Sequence, residues 1–112
     1  MSTRFIQDGR TIDYIPSTDI AAGTVVVQGD LVGVANLDIA AGNLGALTIE
    51  GVFEFPKATG SGTEITVGTI CYWKSSTQQA TTNPENGANK KIGKCIQTAS
   101  NDEAKVRIKL DQ

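Results

Sequence analysis

The chain has 112 residues and carries ten basic and twelve acidic side chains, so its size fits one domain and its net charge is −2. A charge this close to neutral predicts no nucleic-acid partner, and the absence of any apolar run of about 20 residues predicts no membrane partner. The chain has no histidine, which removes the commonest general base and most zinc sites. No basic segment followed by an apolar run begins the chain, so we expect no signal peptide and synthesis in a reducing cytoplasm.

Short strand signals recur along the chain, and no stretch longer than about ten residues keeps a helical period. Apolar and β-branched runs predict strands over 11–15, 24–28, 31–35, 46–55, 69–74, 91–96 and 104–110. Gly29-Asp30 predicts a tight hairpin turn, and Gly51 predicts a bulge or bend inside the fourth run. We therefore expect an all-β fold, a small compact β-barrel or β-sandwich of short antiparallel strands with glycine-rich turns and little or no helix. Residues 1–10 are assigned to an N-terminal arm and 11–112 to a single β-barrel domain.

Three connections share a pattern in which an isoleucine stands three residues before a glycine. They are Asp19–Thr24, Asp38–Asn43 and, more loosely, Glu64–Thr69. The isoleucine is suited to closing the end of a barrel, and the glycine to a positive φ that turns the chain. The copies are unevenly spaced, so they do not indicate a solenoid. We interpret them as one structural corner used three times.

No group of residues has the pattern of a catalytic or cofactor site. Gly60-Ser61-Gly62-Thr63 has the glycines of a phosphate loop but lacks its lysine, and a strand-like run follows it in place of a helix. No pair of carboxylates has a spacing that implies acid–base chemistry. The sequence therefore predicts no catalytic residue, no metal and no cofactor, although a carboxylate pair assembled from distant residues stays open.

Cys71 and Cys95 each lie in an apolar, strand-like run and do not form a CxxC motif. We expect buried, reduced thiols, with a single disulfide as the alternative. Tyr72 and Trp73 are adjacent, so in a strand they point to opposite faces, one to the core and one outward. The outward ring either lies at the rim of the fold or anchors a ligand or partner.

Two segments are candidate contact sites. In the arm, Arg4 and Asp8 flank a small apolar pair, Phe5 and Ile6. In the last strand, apolar and basic side chains alternate, with Ala104, Val106, Ile108 and Leu110 on one face and Lys105, Arg107 and Lys109 on the other. The basic stripe is interpreted as a solvated face that discourages edge pairing, or as a contact with an acidic protein surface.

Charge is unevenly divided between the two halves of the chain. Residues 1–56 carry two basic and seven acidic side chains, whereas residues 57–112 carry eight basic and five acidic ones. Such polarity favours head-to-tail self-association or a partner of mixed charge, unless it is scatter in a small sample.

An ordered set of motifs extends over almost the whole chain: Phe5–Gly9, Thr11–Tyr14, Asp19–Gly23, Val25–Val27, Leu31–Ala35, Gly51–Lys57, Tyr72-Trp73, Ile92-Gly93 and Val106–Ile108. In this order the motifs resemble the family of tailed-phage capsid cement (head decoration) proteins. The hydrophilic stretch from Asn83 to Lys91 is longer than is usual in that family. Members have sometimes been labelled recombinases, a label that the missing phosphate loop argues against.

The resemblance implies a β-barrel-like module on the exterior of the virion capsid, made in the host bacterial cytoplasm. Its partners would be the major capsid protein and further copies of itself, with a trimer favoured over a dimer. The resemblance also favours the N-terminal arm as a capsid contact over its packing on its own barrel. The alternative is a small β receptor- or glycan-binding module of a phage or bacterial assembly, which needs exposed aromatic rings near polar loops.

Overall fold

The computed structural model describes residue 3 and residues 9–111, which form two antiparallel sheets. The strands of the first sheet are β1 (Thr11–Tyr14), β2 (Val25–Gln28), β3 (Leu31–Ala35) and β4 (Gly45–Thr48), in the order β1-β4-β3-β2. Those of the second are β5 (Gly51–Pro56), β6 (Ile70–Lys74), β7 (Gln79–Thr81), β8 (Lys90–Gln97) and β9 (Lys105–Leu110), in the order β5-β9-β8-β6-β7. Within the described residues, one 3-10 turn at Glu85–Gly87 is the only helical element. The predicted all-β class is confirmed, as a sandwich and not as a closed barrel.

Most predicted strands are present, but the run 46–55 is not one strand. It divides into β4 of the first sheet and β5 of the second, and the chain passes between the sheets at Ile49 and Glu50. Gly51 has a φ of 128°, so the predicted bend lies where the chain changes sheet. The predicted hairpin is also confirmed: Gln28 pairs with Leu31, and Gly29 has the positive φ, 60°, of a two-residue turn.

The two sheets have the same topology. The strand order β1-β4-β3-β2 of the first sheet is repeated by β5-β9-β8-β6 in the second, and β7 is an additional edge strand of the second sheet. The register repeats as well, since the paired row Val25, Val34, Thr48 and Thr11 corresponds to the row Ile70, Lys94, Lys109 and Val52. We call β1–β4 with their connections the first unit, and β5–β9 with theirs the second unit.

Each unit is closed at one end by a pair of corners, as the repeated isoleucine–glycine pattern predicts. In the first unit, Ile20 and Ile39 exchange two backbone hydrogen bonds of 2.8 Å. The Asp38 Oδ1 accepts the N–H of Ala22 at 2.8 Å. The Asp19 Oδ1 accepts the N–H of Ala41 at 2.9 Å. The two corners therefore hold each other reciprocally.

The second unit uses the same arrangement with different residues. Ile65 exchanges backbone hydrogen bonds of 3.0 and 2.8 Å with Ala99, and the Thr98 Oγ1 accepts the N–H of Val67 at 3.1 Å. The corner at Glu64–Thr69 was predicted, whereas its partner at 98–103 was not. That segment contains neither the isoleucine nor the glycine of the pattern, and a threonine hydroxyl takes the place of the aspartate.

The apolar side chains form two clusters that connect the units. A small cluster of the first unit lies under its corners and contains Val26, Ala35, Ile39 and Leu47. The larger cluster fills the interior of the second unit, and it also contains Val32 and Val34 of β3, with Val25 and Val27 of β2 packed against it. One face of the first sheet therefore covers its own corners, and the opposite face, which we call its outer face, packs against the second unit.

We predict that Gly93→Ala destabilises the protein by about 3 kcal/mol. Gly93 has a φ of 154°, and a Cβ there would lie 1.8 Å from the carbonyl oxygen of Lys109 in the neighbouring strand. Urea unfolding measures the change. Gly9→Ala is the matched control, because Gly9 has no atom within 4 Å of its Cβ position. Equal unfolding midpoints for Gly93→Ala and the wild type would contradict the prediction.

Candidate functional site

The basic stripe of the last strand lies on an exposed sheet face. Lys105, Arg107 and Lys109 are exposed, and Val106, Ile108 and Leu110 are buried behind them, as the alternation predicts. Ala104 differs from the prediction, since it precedes β9 and is exposed. β9 lies between β5 and β8, so the interpretation of the stripe as protection of a sheet edge is wrong.

Two lysines of β8 widen this basic surface, and sequence reasoning did not find them. Lys91 and Lys94 are exposed, and together with Lys109 and Asp111 they line a depression of about 230 Å³. The sequence pattern does not place these two lysines on one face, because β8 contains a bulge. Tyr72 pairs with Lys91 and Cys71 pairs with Gly93, so one residue of β8 is left unpaired and the strict alternation is broken.

Acidic side chains balance only part of this positive charge. The Arg107 guanidinium donates to the Gln97 Oε1 at 3.0 Å and lies 4.0 Å from the Glu54 carboxylate, and the Lys109 Nζ lies 3.6 Å from Asp111. Among residues 9–111, Lys91, Lys94 and Lys105 have no acidic side chain within 4.0 Å. The face is therefore suited to contact with an acidic protein surface.

Exposed apolar side chains border the basic ones. Val52 is 56% exposed and Ile70 is 41% exposed, and the register places them at the two ends of a row whose middle is Lys94 and Lys109. Directly opposed residues of neighbouring strands share a face, so the four side chains form one continuous strip across the sheet. We call it the open row. It combines apolar area with positive charge, which is a composition suited to protein contact.

The two adjacent aromatic residues lie on opposite faces, as predicted. Trp73 is buried, with its ring 6.0 Å from that of Phe55, and Tyr72 is half-buried on the basic face. Trp73 therefore belongs to the core. Of the two rings that a glycan-binding module would need to expose, only Tyr72 remains, and it is half-buried.

The glycine-rich segment 60–63 does not have the geometry of a phosphate loop. The N–H groups of Thr63 and Glu64 both donate to the Asn101 Oδ1, at 3.1 and 2.8 Å, so internal bonds occupy them. A corner and then β6 follow the segment, where a phosphate loop has a helix. The segment is part of the structure that closes the second unit.

The shifted carboxylates are partners of lysines. A hydrogen bond and the charge of Lys90, 2.8 Å away, lower the pKa of Asp30. Hydrogen bonds from Lys74 and Asn89 lower the pKa of Glu85. In the part of the chain that the structure describes, no three histidine, cysteine or carboxylate side chains are grouped to hold a metal ion.

Both cysteines are buried and neither is in a disulfide, as predicted. The Cys71 thiol donates to the carbonyl of Thr69 at 3.5 Å, and the Cys95 thiol to that of Gln97 at 3.0 Å. Burial, with a smaller effect of the neighbouring Cys95, raises the pKa of Cys71 to about 11. A thiol with so high a pKa is a poor nucleophile at neutral pH.

The predicted arm contacts Arg4, Phe5, Ile6 and Asp8 lie outside the described residues. No helix among the described residues is long and apolar enough to span a membrane.

Comparison with known proteins gives one match. The model of a family described as phage cement protein matches residues 6–110 of the chain. No curated protein and no solved structure matches. The family match includes every strand of both units.

We predict that Cys71 and Cys95 react with a thiol reagent at neutral pH only as fast as the protein opens. Added urea should accelerate labelling in step with unfolding. Rapid labelling of both thiols without urea would contradict the prediction.

The raised pKa of Cys71 also affects the free energy of unfolding. The folded state retains the thiol proton to a higher pH than the unfolded chain, whose thiol has a pKa near 9. The contribution of Cys71 to stability is therefore complete below pH 9 and is lost as the pH rises towards 11.

Proposed function

This chain belongs to the phage cement protein family, and we propose that it decorates the exterior of the assembled head by binding the major capsid protein. The role of capsid decoration and stabilisation follows from the family. The single observation that carries the proposal is the family match over residues 6–110, which extends from the first strand to the last. We propose that the protein is made in the cytoplasm of the host bacterium and acts on the virion.

The proposed mechanism is mechanical. Densely packed DNA pushes outward on the shell, and a cement protein that bridges neighbouring capsid subunits adds interface area that must be broken before they separate. Each contact is small, but symmetry repeats it over the whole head. A rigid sandwich is suited to this function, because a flexible bridge would transmit little force.

We propose that the protein acts as a homo-oligomer, as a trimer in preference to a dimer. The opposite charge of the two halves of the chain supports self-association, since it provides complementary surfaces on every copy. The proposed principal shell contact is the arm, through Arg4, Phe5, Ile6 and Asp8. The proposed secondary contact is the basic stripe of Lys105, Arg107 and Lys109.

We propose that the protein is not an enzyme and has no nucleic-acid or membrane partner. The family is a structural one, and the pKa shifts at Asp30 and Glu85 arise from partner lysines. Purified protein should release no phosphate from ATP, and steady release would overturn this part of the proposal. The receptor- or glycan-binding alternative is not favoured, because Trp73 is buried in the core.

Sedimentation with undecorated heads tests the proposal. Purified protein is mixed with heads that lack it, and the heads are pelleted and analysed. We expect saturable co-sedimentation and heads that withstand higher temperature before they release DNA. A protein that stays in the supernatant at all concentrations would overturn the proposed function.

We predict that deletion of residues 2–9 weakens binding to heads at least tenfold, equivalent to about 1.4 kcal/mol. The arm offers charges of both signs around an apolar pair that is too short to bury itself. Circular dichroism confirms that the truncated protein is folded, and co-sedimentation measures its affinity. A folded truncated protein with unchanged affinity would show that the arm is not the contact, and a truncated protein that cannot fold would show that the arm packs on its own sandwich.

A further inference from the structure

The two units share one topology but use the same face differently. In the first unit, the outer face contains Val25, Val27 and Val34, and it packs against the interior of the second unit. In the second unit, the residues at the positions of Val25 and Val34 are Ile70 and Lys94, and both are exposed. The outer face is therefore buried against the other unit in the first unit and left uncovered in the second unit.

This uncovered face is the outer face of the second sheet, and the open row crosses it. Its ends, Val52 and Ile70, are apolar and more than two-fifths exposed. Lys94 between them has no acidic side chain within 4.0 Å in residues 9–111, and neither has Lys91, which lines the same depression. Desolvating this strip in the absence of a negatively charged partner would be unfavourable, so charge selects what can cover it.

The chain itself carries a surface of the required charge. Residues 11–50, which contain the first unit, carry five acidic and no basic side chains, and the exposed acidic ones include Asp13, Asp19, Asp38 and Glu50. Contact between the second unit of one copy and the first unit of another would join different surfaces of the two copies. Such a contact is heterologous, and it closes into a ring when the rotation between copies permits.

We propose that the open row is a self-association surface that receives the acidic first unit of a second copy, head to tail. The inference rests on the proposed homo-oligomer and specifies its contact: Ile70, Lys94, Lys109 and Val52 bind the neighbouring copy. It therefore moves Lys109 from the proposed shell contact to the contact between copies, and Lys105 and Arg107 stay available for the shell. A ring of three copies would continue, from chain to chain, the packing of unit against unit that each chain already contains.

Sedimentation equilibrium of three variants tests the proposal. Lys94→Glu reverses the central charge, and Ile70→Ser removes apolar area without altering charge. Both residues are exposed, so both variants should fold, and circular dichroism checks this. We expect each to raise the dissociation constant of the oligomer at least tenfold. Arg10→Glu is the control for the charge change: it makes the same change as Lys94→Glu but adds negative charge next to β1 of the acidic first unit. The proposal therefore predicts that its association is at least as strong as that of the wild type.

Salt provides an independent measurement. Raising the salt from about 0.05 M to about 0.5 M should weaken wild-type association, because it screens exposed charge pairs. Wild-type protein that is monomeric at every concentration, or Lys94→Glu and Ile70→Ser variants that associate as strongly as the wild type, would overturn the inference. Oligomers that form as expected but fail to bind heads would instead overturn the proposed function.

Discussion

The reciprocal bridge between paired corners is the interaction on which the fold depends. A four-stranded sheet needs its apolar face covered, and in the first unit the corners cover it. Ile20 and Ile39 bring their side chains under the sheet only while their backbones stay paired. Backbone groups at such a site need partners, and Asp19 and Asp38 supply acceptors that hydrogen-bond the next turn. Without the bridge, Val26 and Leu47 would lose their cover.

The repeated topology shows how one backbone plan accommodates two chemical roles. Val34 and Lys94 occupy matching positions, as do Thr48 and Lys109, yet Val34 is buried and both lysines are exposed. The pairing of backbone groups is preserved while the side chains differ, since strand pairing depends on the main chain and burial depends on composition.

Local patterns predicted local structure well. The two-residue hairpin and the isoleucine–glycine corners were predicted because their residues favour particular backbone conformations. The run 46–55 forms two strands in place of the predicted one, because periodicity does not show that the chain changes sheet between Thr48 and Gly51. β7 was missed because its three residues are too few to show alternation.

Long-range arrangement explains what could not be predicted at the candidate site. Lys91 and Lys94 join the basic stripe only because β8 pairs with β9 and because a bulge turns Ile92 out of register. The fourth corner uses Thr98 in the role of an aspartate, and neither its residue type nor its spacing marks it. Which strands are neighbours and which residue accepts a bond depend on tertiary packing.

The two units also differ in the length of one connection. From Tyr14 to Ile20 the first unit uses five intervening residues, whereas the second uses nine for the equivalent path from Phe55 to Ile65. The extra length lies in the exposed segment 58–62, and the closure of a loop depends only weakly on its length. A foreign peptide inserted at Thr59, before the hydrogen-bonded turn from Gly60 to Thr63, would therefore extend a connection that is already longer than the fold requires. An assembly built from many copies of this chain would then display that peptide at high density.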